Sequence, residues 1–369
     1  MAAGAVAKLL KNSANMFAAS RNSEWYDVHM AAATRAVAAR INLVDLLLEI
    51  RDARIPMSSA YESLRNYPPS ARRIIILNKT DLANKSQTQE WLKYFEQQGY
   101  TTYGLNSHNR EHIQKFLNFL QSRIKEFKKT GNSSHTSTIL LVGVPNVGKS
   151  ALSNSLHQVG RVSAKEKGKL RRATVSPLPG ETKNISSMKV SSHPGIYILD
   201  TPGILPPNIP NDEVYAKLCL TGAIRDCMVK DNDLAQTFMG IVNLNNDFMK
   251  WEKHSTRYLT DQDNLSTNIF KLETNETKKH PADHTQDCIV NDVRGVFFDT
   301  ISAVKGSLEN EQSMSRLIEH QLILLKDAFR IHEESNEDGY RKLTMKLLNL
   351  CRSGRLGHYT LDSVPLNTL

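Results

Sequence analysis

Cysteine is scarce in this chain of 369 residues: Cys219, Cys227, Cys288 and Cys351 are the only four, and no two form a C-x-x-C pair. That usage points to a reducing compartment. No apolar run approaches membrane-spanning length, which excludes an integral membrane segment and leaves peripheral membrane contact open. Acidic residues are missing before Glu24, while Lys8, Lys11 and Arg21 sit among many Ala and Ser. Residues 1–23 therefore suit an organellar transit peptide, expected to be mitochondrial and directed to the matrix, with a plastid as the alternative. A basic tail without a targeting role fits the same composition, and the apolar run is too short for a secretory signal. What is present is ample for folding. At 40% hydrophobic and 23% charged, the chain can bury a full core and divide into two domains. A net charge of +9 and a pI near 9.2 favour a polyanionic partner.

The segment Gly143-Val144-Pro145-Asn146-Val147-Gly148-Lys149-Ser150 fits G-x-x-x-x-G-K-[ST] without a mismatch. A strand-like run, Thr138 to Val142, precedes it, and a helical stretch from Ala151 to Val159 follows, the context a phosphate-binding loop needs. Gly143 and Gly148 are expected to let backbone N–H groups converge on the β-phosphate, and Val147, Gly148 and Ala151 are among the expected GTP-binding residues. Lys149 would bridge the β and γ oxygens, and the Ser150 hydroxyl would ligate Mg²⁺. Ile196 to Leu199 leads into Asp200-Thr201-Pro202-Gly203, a D-x-x-G pattern. There Asp200 would hold Mg²⁺ through water and the Gly203 amide would sense the γ-phosphate. Between the two motifs, Thr182 of Pro179-Gly180-Glu181-Thr182 can supply the second hydroxyl to Mg²⁺.

A guanine-reading N-K-x-D lies upstream. Asn78-Lys79-Thr80-Asp81 follows the apolar run Ile74 to Leu77. The Asp81 carboxylate can accept from the ring N–H and exocyclic amine of guanine, a donor pair adenine lacks, while Lys79 lies along the ring and Asn78 supports the loop. Asn106 and Ser107, after Tyr100 to Gly104, are the candidate second base loop. The order base, base, P-loop, switch one, switch two is a circular permutation of a GTPase domain, tolerable because the ends of a compact domain often lie close together.

This motif order, Arg51-Asp52-Ala53-Arg54-Ile55-Pro56 and the P-loop sequence together resemble the circularly permuted DAR GTPases, specifically the mitochondrial ribosome-assembly branch. The resemblance covers roughly residues 25 to 225, with a second patch at Arg352 to Asp362; residues 232–310 do not share it. It implies a GTPase that binds and hydrolyses GTP to GDP and phosphate, acting on the large ribosomal subunit and its rRNA. It also bears on a further absence. Many GTPases carry a water-orienting Gln after D-x-x-G, but here that place is Ile204. The family has a W-F-P-G-H-M segment whose His is implicated in hydrolysis, and Trp25-Tyr26-Asp27-Val28-His29-Met30 matches it at Trp, His and Met. His29 is thus the candidate catalytic residue, with a surface or capping histidine as the alternative. Asn146 is a candidate K⁺ ligand, or a loop-stabilising residue.

Asp52 and Arg54 are expected to brace the nucleotide loops or His29 from the end of a central strand at Leu43 to Ile50, with an Asp-Arg ion pair of no site role as the alternative. Lys165, Lys167, Lys169, Arg171 and Arg172, opposed by Glu166, can neutralise RNA phosphates or form a solvated loop, and no aromatics interleave them for base stacking. His280, His284 and Cys288 have ligand-like spacing, but Pro281 argues against the helix, and a polar segment is the expected reading.

The expected architecture is α/β: a permuted P-loop GTPase domain, mostly parallel sheet flanked by helices, followed by a small α-helical C-terminal domain. The expected boundaries are a leader at 1–23, the GTPase domain at 24–210, a helical connector at 211–249, a flexible polar insertion at 250–312 and a helical domain at 313–369, in a monomer with Mg²⁺ and K⁺ as cofactors. A GTP-sensing RNA- or ribosome-binding module with negligible turnover is the competing class, since Ile204 cannot polarise water. A nucleotide kinase or ATPase is disfavoured by Asp81.

Overall fold

The computed structural model of the chain describes residues 2–18, 26, 28–65, 69–129, 136–163, 180, 185–209, 211–255, 283–304, 308, 310–331 and 336–365. The chain divides into two compact units: Ser20–Met228 with His358–Leu369, and Met1–Ala19 with Val229–Gly357.

The larger unit is built on one sheet of six strands, ordered β3-β2-β1-β4-β6-β5. These are β1 (Leu46–Asp52), β2 (Arg73–Asn78), β3 (Thr101–Gly104), β4 (Thr136–Val142), β5 (Ser186–Ser192) and β6 (Gly195–Asp200). All neighbours are parallel except β5, which runs antiparallel to β6. β1 and β2 are buried at every position, as strands covered on both faces must be, and their runs of Leu and Ile supply that burial. On one side, Ala33 and Val37 of α2 (Val28–Ile41) join Leu47, Leu140, Val142 and Ile204 in a core. A separate core joins Trp91 and Phe95 of α3 (Lys85–Gln97) to Ile75, Leu77 and Ala53. The helices α4 (Arg110–Lys129) and α5 (Lys149–Ser163) pack on each other, and α5 also packs on β5.

Strand order sets the place of the site. The chain moves outward from β1 to β3, then returns to the far side of β1 with β4, so the order in which strands are added reverses between the parallel neighbours β1 and β4. Open α/β sheets bind ligands beyond the carboxyl ends of their strands at such a point. Asp52, Asn78, Val142 and Asp200 end β1, β2, β4 and β6, so the DAR, N-K-x-D, P-loop and D-x-x-G segments all leave from that edge.

β1 also carries a buried charge, which must be paired to be tolerated. Glu49, fully buried, accepts from Arg51 Nε at 2.8 Å, Arg73 Nη2 at 2.7 Å and the Tyr61 amide at 3.0 Å. Burial acts to raise its pKa, but the two guanidiniums outweigh that and hold it low.

Three expectations need correction. The helix expected from Asp212 to Val229 is α6, Asp212–Leu220. It stops because Gly222 takes the left-handed conformation (φ 76°), with Ala223 N–H donating to the Leu218 carbonyl at 2.8 Å in a glycine-terminated cap. The stretch 250–312 is not an insertion throughout. A 3-10 helix at Asn246–His254 buries Trp251, and α8 (Asp287–Ser302) buries Ile289, Val290, Val293 and Phe297; its apolar spacing was masked by the polar residues before it. Finally, His358–Leu369 group with the larger unit rather than with the helices they follow.

Among the described residues the regular elements of the second unit are all helices: α1 (Ala2–Ala18), α7 (Asp231–Leu244), the 3-10 helix, α8, α9 (Glu311–Ala328) and α10 (Asn336–Arg352). α1 packs on α7, burying Leu10, with Ser13 Oγ accepting from Thr237 Oγ1 at 3.0 Å. The buried amides of Asn243 and Gln321 exchange hydrogen bonds at 2.9 and 2.8 Å, and Gln321 also donates to Thr300 Oγ1 at 3.0 Å. A buried polar group is tolerated when satisfied in this way.

Glu49→Gln leaves two buried guanidiniums facing a neutral amide. We expect it to lower unfolding free energy by about 3–5 kcal/mol, read from urea denaturation; a shift under about 1 kcal/mol would show that the Glu49 ion pairs contribute little.

Candidate nucleotide site

The P-loop forms as its sequence predicts, between β4 and the first turn of α5. Gly148 (φ 94°) lies so close to the Asn78 amide that a Cβ would meet Nδ2 at 2.3 Å. Asn78 therefore reaches the P-loop directly. Its Nδ2 donates to the Val147 carbonyl at 2.8 Å, while its Oδ1 accepts from the Ser107 amide at 3.1 Å and the Ser107 hydroxyl at 2.8 Å. One buried side chain so joins the P-loop, the N-K-x-D turn and the second base loop. The Asn106 amide donates to His112 Nδ1 at 3.3 Å, fixing that second loop to α4. Asp81, the last residue of the N-K-x-D turn, is exposed.

The two non-glycine residues at positive φ in this unit are both in nucleotide loops: Lys79 (φ 61°) and Asn146 (φ 59°) among the described residues. Strained backbone of this kind persists only where the surroundings over-determine it. For Lys79 the restraint is Asp52, whose Oδ2 lies 3.1 Å from Lys79 Nζ. Arg54 grips the same carboxylate through Nε at 2.9 Å and Nη2 at 2.7 Å. Burial acts to raise the Asp52 pKa, but Arg54 and Lys79 overcome it and hold the group ionised far below the usual range. The Asp52–Arg54 pair is thus tied to Lys79 of the N-K-x-D turn rather than standing as an isolated ion pair. Asn146 donates from Nδ2 to the Gly222 carbonyl at 2.6 Å, in the turn after α6.

Lys149 is buried, with Nζ donating to the carbonyls of Gly143 at 3.1 Å and Val144 at 2.8 Å. Burial pushes its pKa down to about 8, against the opposing pull of Asp200. Asp200 is itself fully buried, and neither carboxylate oxygen has a hydrogen bond of ordinary geometry. Burial raises its pKa, although the Ser150 hydroxyl, Lys149 and the Thr201 amide lie near enough to draw it down. A buried carboxylate left so poorly satisfied next to a hydroxyl is the donor set a hard divalent cation takes, and P-loop GTPases use Mg²⁺. Gly203 is pressed against the P-loop: a Cβ there would come within 2.5 Å of the Pro145 Cα. Ile204 N–H donates to the Gly143 carbonyl at 3.3 Å and its side chain is buried in the core with α2.

His29 is exposed in the first turn of α2, and the next residue, Met30, contacts the backbone after D-x-x-G, with the Leu205 amide 3.4 Å from its sulfur. Trp25 and Asp27 lie outside the described residues, as do Thr182, the Lys165 to Arg172 cluster and His280. Arg355 is engaged within the helical unit, through the Thr285 carbonyl at 2.9 Å and Asp287 at 2.7 Å. Two contributors were missed from sequence. The Thr221–Gly222 turn has no motif, and its contacts follow from where α6 ends. Asp362 stood inside the recognisable patch Arg352 to Asp362 without a role.

A mostly parallel sheet with a P-loop, an N-K-x-D and a D-x-x-G at one edge, in permuted order, defines a circularly permuted P-loop GTPase. The model of a family described as "50S ribosome-binding GTPase" matches residues 138–239. The chain is 51% identical over 345 residues to DAR GTPase 2, mitochondrial, of Arabidopsis thaliana, covering 93% of this chain and 91% of that protein. Short integuments 2, mitochondrial, of the same plant is 38% identical over 353 residues, covering 92% and 89%. Ribosome biogenesis GTPase A of Bacillus licheniformis is 32% identical over 295 residues, covering 76% and 98%. This chain belongs to the DAR GTPase family. The likeness is broader than the motifs alone indicated, since a match over 93% of the chain cannot leave out residues 232–310.

Asn78→Ala removes the amide that joins the three loops and orphans the groups it satisfied. We expect GDP affinity to fall at least about tenfold in a fluorescent-nucleotide titration; unchanged affinity would show that the loops hold their places without it.

Proposed function

We propose that this GTPase acts as an assembly factor for the mitochondrial large ribosomal subunit, binding it in the GTP state and leaving after hydrolysis. The observation that carries this reading is the joined constellation around Asn78, Lys149 and Asp200, set in a chain that is 51% identical to a mitochondrial DAR GTPase and related to proteins named for ribosome biogenesis. In it, Asp81 reads guanine, with Asn78, Lys79, Asn106 and Ser107 shaping its pocket. Val147, Gly148, Lys149, Ser150 and Ala151 hold the phosphates, and Gly203 senses the γ-phosphate. Ser150, Thr182 and Asp200 would hold Mg²⁺, which neutralises charge on the β and γ oxygens.

His29 is the residue we assign to positioning the attacking water, because Ile204 is committed to the core and the first turn of α2 meets the chain at Leu205. For Asn146, a K⁺ ion would be held through the amide oxygen, the amide nitrogen donating to the Gly222 carbonyl. The Lys165 to Arg172 cluster would meet rRNA phosphates and make particle binding fall steeply with salt. The matrix is the proposed site of action, on the names of the relatives and the composition of residues 1–23; cleavage there would release α1.

The decisive measurement is GTP hydrolysis in KCl, with and without mitochondrial large subunits. Particles should stimulate turnover, and His29→Ala should cut the stimulated rate by about a hundredfold or more with GTP affinity kept. Equal stimulated turnover by the variant removes His29 from the reaction. Tight GTP binding with no turnover in either condition would replace this reading with a GTP-sensing ribosome-binding module.

A further inference from the structure

One ion pair in the GTPase unit lies outside every nucleotide motif, yet ties together three segments that flank them. Residues 358–365 return to this unit after the helices, and Asp362 is 5% exposed. Its Oδ2 accepts from the amides of Met57 and Ser58, both at 2.8 Å, and its Oδ1 from the Ser58 hydroxyl at 2.7 Å and Lys217 Nζ at 3.0 Å. Four donors converge on two oxygens, which is the full capacity of a carboxylate. The backbone around it is fastened too. Leu361 N–H donates to the Arg54 carbonyl at 2.7 Å, Asn84 N–H donates to Thr360 Oγ1 at 3.2 Å, and the Trp91 indole donates to the Asp362 carbonyl at 3.4 Å.

Each attachment is a step from the site. Met57 and Ser58 follow the DAR segment, where Arg54 and Lys79 share Asp52. Asn84 and Trp91 belong to the cap and body of α3, which begins just after Asp81. Lys217 lies in α6, whose closing turn accepts from Arg54 at 3.5 Å and from the P-loop's Asn146 at 2.6 Å. Lys217 is 6% exposed; burial acts to lower its pKa, but Asp362 and Glu213 reverse that and keep it charged. Burying this pair is costly where apolar packing would do, and such pairs can serve conformational specificity instead.

We propose that Asp362 is a positioning residue of the nucleotide site: by clamping the turn after DAR to α6 and α3, it presets the base loop and Asn146, and so sets guanine-nucleotide affinity without touching the nucleotide. The proposal rests on Asn78 to Asp81 being the base loop.

The test uses the full chain with Asp362→Asn, the milder Ser58→Ala, and Asp81→Asn alongside. Fluorescent GDP and GTP are titrated well below each variant's melting temperature, with ATP as competitor. Asp362→Asn should weaken both guanine nucleotides about tenfold, and Ser58→Ala about threefold, while competition by ATP becomes relatively stronger. A merely structural role would lower the melting temperature of Asp362→Asn and leave these affinities at wild-type values; that result overturns the proposal. Should Asp362→Asn fail to fold, wild-type affinity in Ser58→Ala overturns it in the same way. If Asp81→Asn keeps full guanine preference, the base-loop assignment fails and the proposal falls with it, whereas loss there beside wild-type affinity in Asp362→Asn condemns the clamp alone.

Discussion

The hydrogen bonds of the Asn78 amide are the constraint on which the site depends. A nucleotide site made of loops from separate strands needs those loops held in register, and short loops cannot do this through their own backbone alone. Asn78 spends its donor on the P-loop carbonyl of Val147 and its acceptor on Ser107, so phosphate-facing and base-facing elements share one rigid group. Because the residue is buried at the end of β2, the sheet fixes its position. Gly148 must then lack a side chain for a second reason besides its dihedral: the amide occupies the space a Cβ would take.

Permutation moves the burden of order elsewhere. In this chain order the base loops come first and the P-loop later, so neither is tethered closely in sequence to the other. β1 compensates from the centre of the sheet. Its last residue, Asp52, holds Lys79 of one loop, and its partner Arg54 reaches the turn after α6, which in turn receives Asn146 of the other. Burial would make such charges costly if any one lacked its partner, so the network acts as a unit. The positive φ of Lys79 and of Asn146 sits at the two places where this network grips a loop.

Much of this was legible in the sequence because the signals were local. The P-loop, N-K-x-D and D-x-x-G segments each follow an apolar run, and a fixed spacing of small set residues carries their chemistry; the permutation was read from their order alone. The residues that join them were less visible for a physical reason. Asp362 and the Thr221–Gly222 turn act across separations of 76 to 305 positions, through a carboxylate and backbone carbonyls that no short pattern marks. The helix Asp287–Ser302 was hidden differently: the polar stretch before it diluted its apolar spacing, and only packing around Val293 and Phe297 reveals it. The end of α6 was overestimated because helix propensity runs on past Gly222, while the left-handed cap at that glycine stops it.

Ile204 shows how the same arrangement constrains chemistry. The residue that follows D-x-x-G points into the core between α2 and the sheet, packed with Val37, Leu140 and Val142. Turning it outward to face a water would empty an apolar site, and a polar residue in its place would have to be buried, so the core and a Gln at this position exclude each other. A group that orients water must therefore come from another element. The same packing gives the loop its mechanical reach. Gly203 is held against Pro145 and Leu205 against Met30, so displacement of the D-x-x-G backbone presses on the P-loop on one side and on α2 on the other. In a close-packed interior such a displacement is not absorbed locally. A displacement of the backbone at Gly203 would thus reach α2 through side-chain contact, and α2 is the helix that carries His29, the residue proposed above to position water.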